Sequence, residues 1–379
     1  MACRAEQIRS LGQSVWLDFI RRGHLESGEF DRLVREQGVV GVTSNPTIFQ
    51  QAIANSTDYD AAIERGIARG LDPAALLDAL TIEDIQTACD KLRPVFAATG
   101  GLDGRVSIEV SPKLANDTRG TIAEARRLHA AVQRPNVMVK IPATAAGLPA
   151  ITSGIADGIC VNVTLTFSLS RYAQVMEAYL AGLEQRAARS EPLDAIFSVA
   201  SFFVSRVDTK LDGAIDAAVQ VLPAGDPRRG ELESLRGRAA IANARLAYEQ
   251  YEQVFGSPRF AALRAKGARV QRPLWASTST KNPAYPDTLY VDELIGPDTV
   301  NTMPLQTLAA FNDHGTMKVT IRDDRDGAKR LFQRLPQLGI PIADKIAELE
   351  PEGVTAFSKS FDALIATLET KHRAMASRR

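Results

Sequence analysis

The chain is poor in the side chains that hold metals. Its 379 residues include only three cysteines, Cys3, Cys89 and Cys160, and four histidines, His24, His129, His314 and His372. The cysteines form no CxxC pair and the histidines no HxH or HExxH spacing, so no metal ligated by histidine or cysteine is expected, and scattered single thiols fit a reducing compartment. Net charge is also missing: 45 basic residues balance 45 acidic ones. That balance argues against a general binder of nucleic acid or anionic membrane, while leaving room for a local phosphate pocket. No apolar stretch reaches the roughly 18 residues of a membrane span, and the N-terminus lacks the pattern of a secretory signal, so a cytoplasmic protein is expected. There is no internal repeat and no low-complexity tract. Nor does a Gly-rich phosphate turn follow the first strand, where Asp18 leads into Phe19-Ile20-Arg21-Arg22, which disfavours an open dinucleotide-binding sheet.

What is present is a succession of short β-type runs separated by long helical stretches. The period predicts strands at Val15–Asp18, Val39–Thr43, Arg105–Val110, Val137–Ile141, Ile159–Thr164, Ala195–Ala200, Pro273–Ser277 and Thr299–Met303. Helices are predicted at Glu29–Gln37, Asp58–Arg69, Pro73–Ala97, Thr118–Ala131 and Leu169–Ala188, with a long helical stretch from Val207 to Phe255 broken at Leu222–Pro227. Strands that alternate with helices lie parallel, and eight of them close a (β/α)8 barrel, an α/β fold. The whole chain, 1–379, reads as one barrel domain with an inserted helical hairpin after strand 6 (about 207–270) and a C-terminal helical extension (about 312–379) with helices at Asp324–Leu338, Ile342–Glu350 and Thr355–Lys371. Those last helices either pack on the flank or lie across the barrel mouth.

In a helix-covered barrel neither strand face meets bulk water, so polar residues alternating with apolar ones should converge on the interior. Lys140, in Val137-Met138-Val139-Lys140-Ile141-Pro142, shares a face with Met138 and opposes Val137, Val139 and Ile141. Burial without a partner penalises the charged form of an amine and favours the neutral nucleophile. Asp18 opposes Val15 and Leu17; Ser107 and Glu109 oppose Val106, Ile108 and Val110; Asn162 and Thr164 share a face; Thr43 and Asn45 end the second run. Active sites of such barrels lie at the C-terminal ends of the strands, where these residues gather.

Several of these segments resemble, in order, the barrel-strand motifs of the transaldolase family in its longer bacterial branch. They are Trp16-Leu17-Asp18, Thr43-Ser44-Asn45-Pro46-Thr47, Ser107-Ile108-Glu109-Val110, Val139 to Thr144, Asn162 to Ser168 and Ser201 to Asp208. TSNP and KIPAT are the specific stretches. The resemblance implies a transferase of the pentose phosphate pathway that moves a dihydroxyacetone unit from sedoheptulose 7-phosphate or fructose 6-phosphate to glyceraldehyde 3-phosphate or erythrose 4-phosphate, without cofactor. Lys140 would form the Schiff base and Asp18 would move the C4 hydroxyl proton. Glu109 and Thr164 would hold a catalytic water. Asn45, Asn162 and Ser201, with Thr43 and Phe203 near them, would surround the three-carbon unit.

Arg206 matches the phosphate arginine of the family. After the seventh strand the chain reads Trp275-Ala276-Ser277-Thr278-Ser279-Thr280-Lys281, where the family has a shorter Ser-x-Arg; Lys281 is expected in place of the second arginine, with the hydroxyl from Ser277 or Ser279. The alternative is a Schiff-base aldolase like fructose-6-phosphate aldolase. Glu109 disfavours it, because those relatives place a tyrosine there. Expected partners are small sugar phosphates only, with no nucleic acid and no membrane, and the protein is expected to be a monomer or a homodimer.

Overall fold

The computed structural model describes residues 2–376. Eight strands close a barrel in sequence order: β1 Gln13–Leu17, β2 Gly41–Val42, β3 Arg105–Glu109, β4 Val137–Pro142, β5 Val161–Thr166, β6 Ser198–Phe203, β7 Gln271–Ala276 and β8 Thr299–Met303. All neighbours are parallel, and β8 returns to β1. All six residues of β4 are buried. Ile141 and Val161 face outward onto Gly154 of the helix Gly147–Ala156, where a Cβ would stand 3.8 and 3.3 Å from their side chains, so Lys140 and Asn162 face inward.

The N-terminal end of the barrel is plugged. Asp103 accepts from Ser14 Oγ at 2.8 Å and Trp16 Nε1 at 3.3 Å, and Arg272 joins it with a 3.4 Å contact. Gly41 makes room for the Trp16 ring, since a Cβ there would lie 2.6 Å from it. These side chains fill the N-terminal end of the barrel and leave its C-terminal mouth for a site.

Strand boundaries move where apolar runs carry no end marker. β6 begins three residues later than predicted, because Ala195 and Ile196 are spent in a turn (Ile196 N to Leu193 O, 3.1 Å) and pairing with β7 carries the strand to Phe203. β2 shrinks to two residues. The predicted helix Pro73–Ala97 is two helices, Pro73–Lys91 and Arg93–Ala98, since Pro94 cannot donate a backbone bond and starts the second. The long stretch after β6 breaks at Leu222 as read, and a short helix Pro227–Ser234 stands between the arms Ser205–Val221 and Ala239–Phe255. Helices Pro46–Ala54, Gly147–Ala156, Pro258–Arg264 and Leu305–His314 were not foreseen; all but the second directly follow an Asn, Ser or Pro cap residue.

The last helix, Leu349–Ala376, crosses the mouth. Gly353 lets it approach Leu165, whose Cδ2 lies 2.9 Å from where a Cβ would stand. Leu165 itself sits at φ +58°, where the register of β5 against β6 shifts, so an irregular strand end presents its side chain to the helix. Ion pairs Arg171–Glu350, Lys210–Glu352 and Lys113–Asp362 and the Thr47–Ser360 hydrogen bond hold it there.

Candidate active site

Lys140 lies at the floor of the mouth. Register sets it opposite Glu109 on β3 and Asn162 on β5. Its Nζ donates to Ser44 O at 2.9 Å and stands 3.0 Å from Glu109 Oε2, with both side chains almost fully buried. The two charges are close enough to pair, although Glu109 Oε2 lacks the alignment of a hydrogen bond. Lys140 is therefore not the partnerless amine expected from its strand alone; its partner comes from the neighbouring strand. Burial pushes the Glu109 carboxyl above the usual range, with Lys140 opposing the rise and Asp18 adding to it.

Asp18, one residue past β1, accepts from Thr43 Oγ1 at 2.8 Å, and Thr43 shares a 2.7 Å hydroxyl contact with Thr302 of β8. Burial pushes the Asp18 carboxyl up, opposed first by Lys140 and then by Thr43, Lys281 and Arg206. Among the described residues no cation comes within 4 Å of it. Asp18 thus shares the field of Lys140 without pairing to it.

A cavity of about 300 Å³ opens above these groups, lined by Asp18, Thr43, Asn45, Lys140, Thr164 and Ser201, with Phe203, Arg206, Ser277 and Lys281 toward its rim. Thr164 Oγ1 is buried without a protein partner. Asn45 caps the helix Pro46–Ala54 through Oδ1 to Ile48 N at 2.9 Å, which leaves its amide NH2 as the group able to donate to a ligand. Asn162 is one layer lower: it donates to Ser107 Oγ at 3.0 Å and accepts from Ser201 Oγ at 2.7 Å, and it does not line the cavity. Glu109 likewise reaches the cavity only through Lys140.

At the rim, the Arg206 guanidinium lies 5.5 Å from the Phe203 ring centre and 5.9 Å from that of Phe357. Neither Arg206 nor Lys281 makes an ion pair with a described carboxylate, and partial burial, then the Arg206 charge, push the exposed Lys281 ammonium down. Ser277 Oγ contacts Ser205 Oγ at 2.9 Å, at the start of the helix that carries Arg206, while Ser279 Oγ accepts from Lys281 Nζ at 2.6 Å. Both serines line the cavity. Sequence reasoning missed Thr302 and Phe357. Alternation along β8 gives no signal for Thr302, which shares its face with Val300 while Thr299 and Asn301 share the other; nothing in the local sequence ties Phe357, on the last helix, to the barrel mouth. Among the described residues no group of three or more His, Cys, Asp or Glu side chains could hold a metal, and no helix is long and apolar enough to cross a membrane.

Residues 15–368 match the model of the transaldolase/fructose-6-phosphate aldolase family. A transaldolase of Parafrankia sp. (strain EAN1pec) is 50% identical over 371 residues, 98% of each chain. One of Thermobifida fusca is 50% identical over 96% of this chain and 97% of its own, and one of Trichodesmium erythraeum 47% identical over 96% of each. With a closed parallel barrel and matches along nearly its full length, the chain belongs to the transaldolase/fructose-6-phosphate aldolase family.

Proposed function

We propose that the chain acts as a transaldolase with Lys140 as its covalent nucleophile, and the Lys140–Glu109 pair at the floor of the cavity is the observation that carries this reading. A carboxyl pushed up by burial can take the ammonium proton, leaving a neutral amine beside a neutral acid. The Lys140 Nζ then adds to the C2 carbonyl of a ketose phosphate, and loss of water gives a protonated imine. Glu109, with a water held against Thr164, supplies and receives protons in that step. Asp18 removes the C4 hydroxyl proton, the C3–C4 bond breaks, and its electrons pass into the imine. An aldose phosphate leaves and a dihydroxyacetone enamine stays on Lys140. The acceptor aldehyde reverses these steps, taking the carbon bond and the Asp18 proton, and hydrolysis of the imine frees the product.

Arg206 and Lys281 supply the cations for the phosphate, and Asn45 and Ser201 the hydrogen bonds for the three-carbon unit. Soluble sugar phosphates of the pentose phosphate pathway are the proposed substrates and the cytoplasm the proposed setting. The test is borohydride reduction in the presence of fructose 6-phosphate, followed by peptide mass mapping. A reduced three-carbon adduct on Lys140 is expected; labelling at another lysine, or none, overturns the assignment.

A further inference from the structure

The segment that carries Lys281 is the loop between β7 and the helix Leu289–Asp292, and the structure shows how it is held. It leaves β7 at Ser277, in the left-handed region at φ +56°, with Ser277 Oγ on Ser205 and Thr278 Oγ1 on Asn301 at 2.9 Å. Past Lys281 it returns to the same helix, Ser205–Val221, through two phenols. Tyr285 donates to Asp212 Oδ2 at 2.7 Å and Tyr290 to Asp208 Oδ2 at 2.8 Å. Asp208 and Asp212 are four residues apart, so both lie on one face of the helix whose first turn carries Arg206.

Each carboxylate has a second task. Asp208 Oδ1 accepts from Ala240 N at 2.7 Å and Asp212 Oδ1 from Gly237 N at 3.0 Å. Gly237 is at φ +69°, and a Cβ there would lie 2.8 Å from the Tyr285 ring, so the glycine forms the seat for that ring. Two aspartates therefore tie together the phosphate-side helix, the turn before the helix Ala239–Phe255 and the Lys281 loop. Lys281 itself is exposed and, among the described residues, bonds only to Ser279, two residues away. Its position relative to Arg206 is left to the loop backbone.

We infer that Tyr285 and Asp212, supported by Tyr290 and Asp208, are positioning residues that hold Lys281 beside Arg206 and thereby set the preference for phosphorylated over unphosphorylated acceptors. None of the four lines the cavity. They act through Lys281, and the inference rests on the transaldolase reading above. A lysine is a point charge on a flexible stem, so it needs a fixed backbone to do what the planar fork of an arginine does by its own geometry.

The test is Tyr285→Phe, which keeps the ring on Gly237 and removes the bond to Asp212. In a two-step exchange, kcat/KM for the acceptor reports the acceptor half-reaction alone. With saturating fructose 6-phosphate, kcat/KM for glyceraldehyde 3-phosphate should fall about 3- to 10-fold, the scale of one lost hydrogen-bonded anchor. The value for glyceraldehyde should stay within about twofold, and a cooperative melt should persist. Asp212→Asn, which still offers an oxygen to one partner and an amide to the phenol, should retain most of the preference. In a Lys281→Ala background, Tyr285→Phe should add nothing further. Equal losses on both acceptors, an undiminished preference in Tyr285→Phe, or an additive loss in the Lys281→Ala background overturns the inference. Wild-type protein that transfers the three-carbon unit to neither acceptor overturns the transaldolase reading instead, so the two failures are distinct.

Discussion

Glu109 and Lys140 face each other across β3 and β4, in register, with Oε2 and Nζ 3.0 Å apart and both side chains less than a tenth exposed. Burial raises the Glu109 carboxyl toward proton acceptance, because a neutral pair escapes the desolvation penalty that a charged pair bears. In the proposed mechanism, the lysine that attacks the carbonyl as a free amine has its proton acceptor on the neighbouring strand.

Replacing Glu109 by Gln keeps the shape and removes that acceptor. Turnover is expected to fall by about 10²-fold or more in both half-reactions. Burial places the Glu109 carboxyl above the ordinary carboxylate range, so the wild-type kcat/KM profile should carry a limb displaced upward from that range, with activity gained as the pH rises through it. That limb should vanish in Glu109→Gln; a limb that survives unchanged assigns it elsewhere.

Asp18→Asn separates carbonyl capture from bond cleavage. The mutant should still form an imine with fructose 6-phosphate, while C3–C4 cleavage slows by about two to four orders of magnitude. Mass analysis after borohydride should find the intact six-carbon sugar phosphate on Lys140 in the mutant and mostly the three-carbon unit in the wild type. Equal rates of three-carbon adduct formation would remove Asp18 from the mechanism.

Arg206 is the half-buried cation between Phe203 and Phe357, without a carboxylate partner among the described residues. Arg206→Ala should lower kcat/KM for glyceraldehyde 3-phosphate by about 10- to 100-fold and leave glyceraldehyde nearly unaffected, as expected for the loss of a charged, two-pronged phosphate contact. Comparable losses for both acceptors would refute the phosphate role.

Burial pushes the Asp208 carboxyl up to about 7, against the hydrogen bonds from Ala240 and Tyr290 that favour its charged form and with the nearby Asp212 adding to the rise. The native state then binds more protons than the unfolded chain between about pH 4 and 7, so the stability this group contributes is present at low pH and lost as pH rises through 7. Asp208→Asn removes that slope, which from one group is at most about 1.4 kcal/mol per pH unit. Denaturant titrations from pH 5 to 8 should show the wild type losing stability relative to the mutant; parallel curves would contradict the shift.

Alternation along single strands determined much of this protein in advance. Met138 and Lys140 on one face, Ser107 and Glu109 on another, and three more such runs among eight strands spaced by helices pointed to a closed barrel and to its inward polar residues, because side-chain direction in a strand is a local property of the backbone. Asp18, Thr43, Lys140 and Thr164, read from the strands, line one cavity; Asn45, Ser201, Phe203, Arg206, Ser277 and Lys281, expected from the family resemblance, line it too. Partners and depth were decided only by the tertiary structure, since both depend on register and on distant segments. The β3–β4 register makes Glu109 the partner of Lys140; closure of the barrel brings Asn162 of β5 to Ser107 of β3 and Ser201 of β6, which keeps Asn162 below the cavity floor. Phe357 reaches Arg206 because Gly353 and the left-handed Leu165 let the last helix settle across the mouth, and the Lys281 loop is tied to Asp208 and Asp212 by phenols that no period in the sequence relates to them.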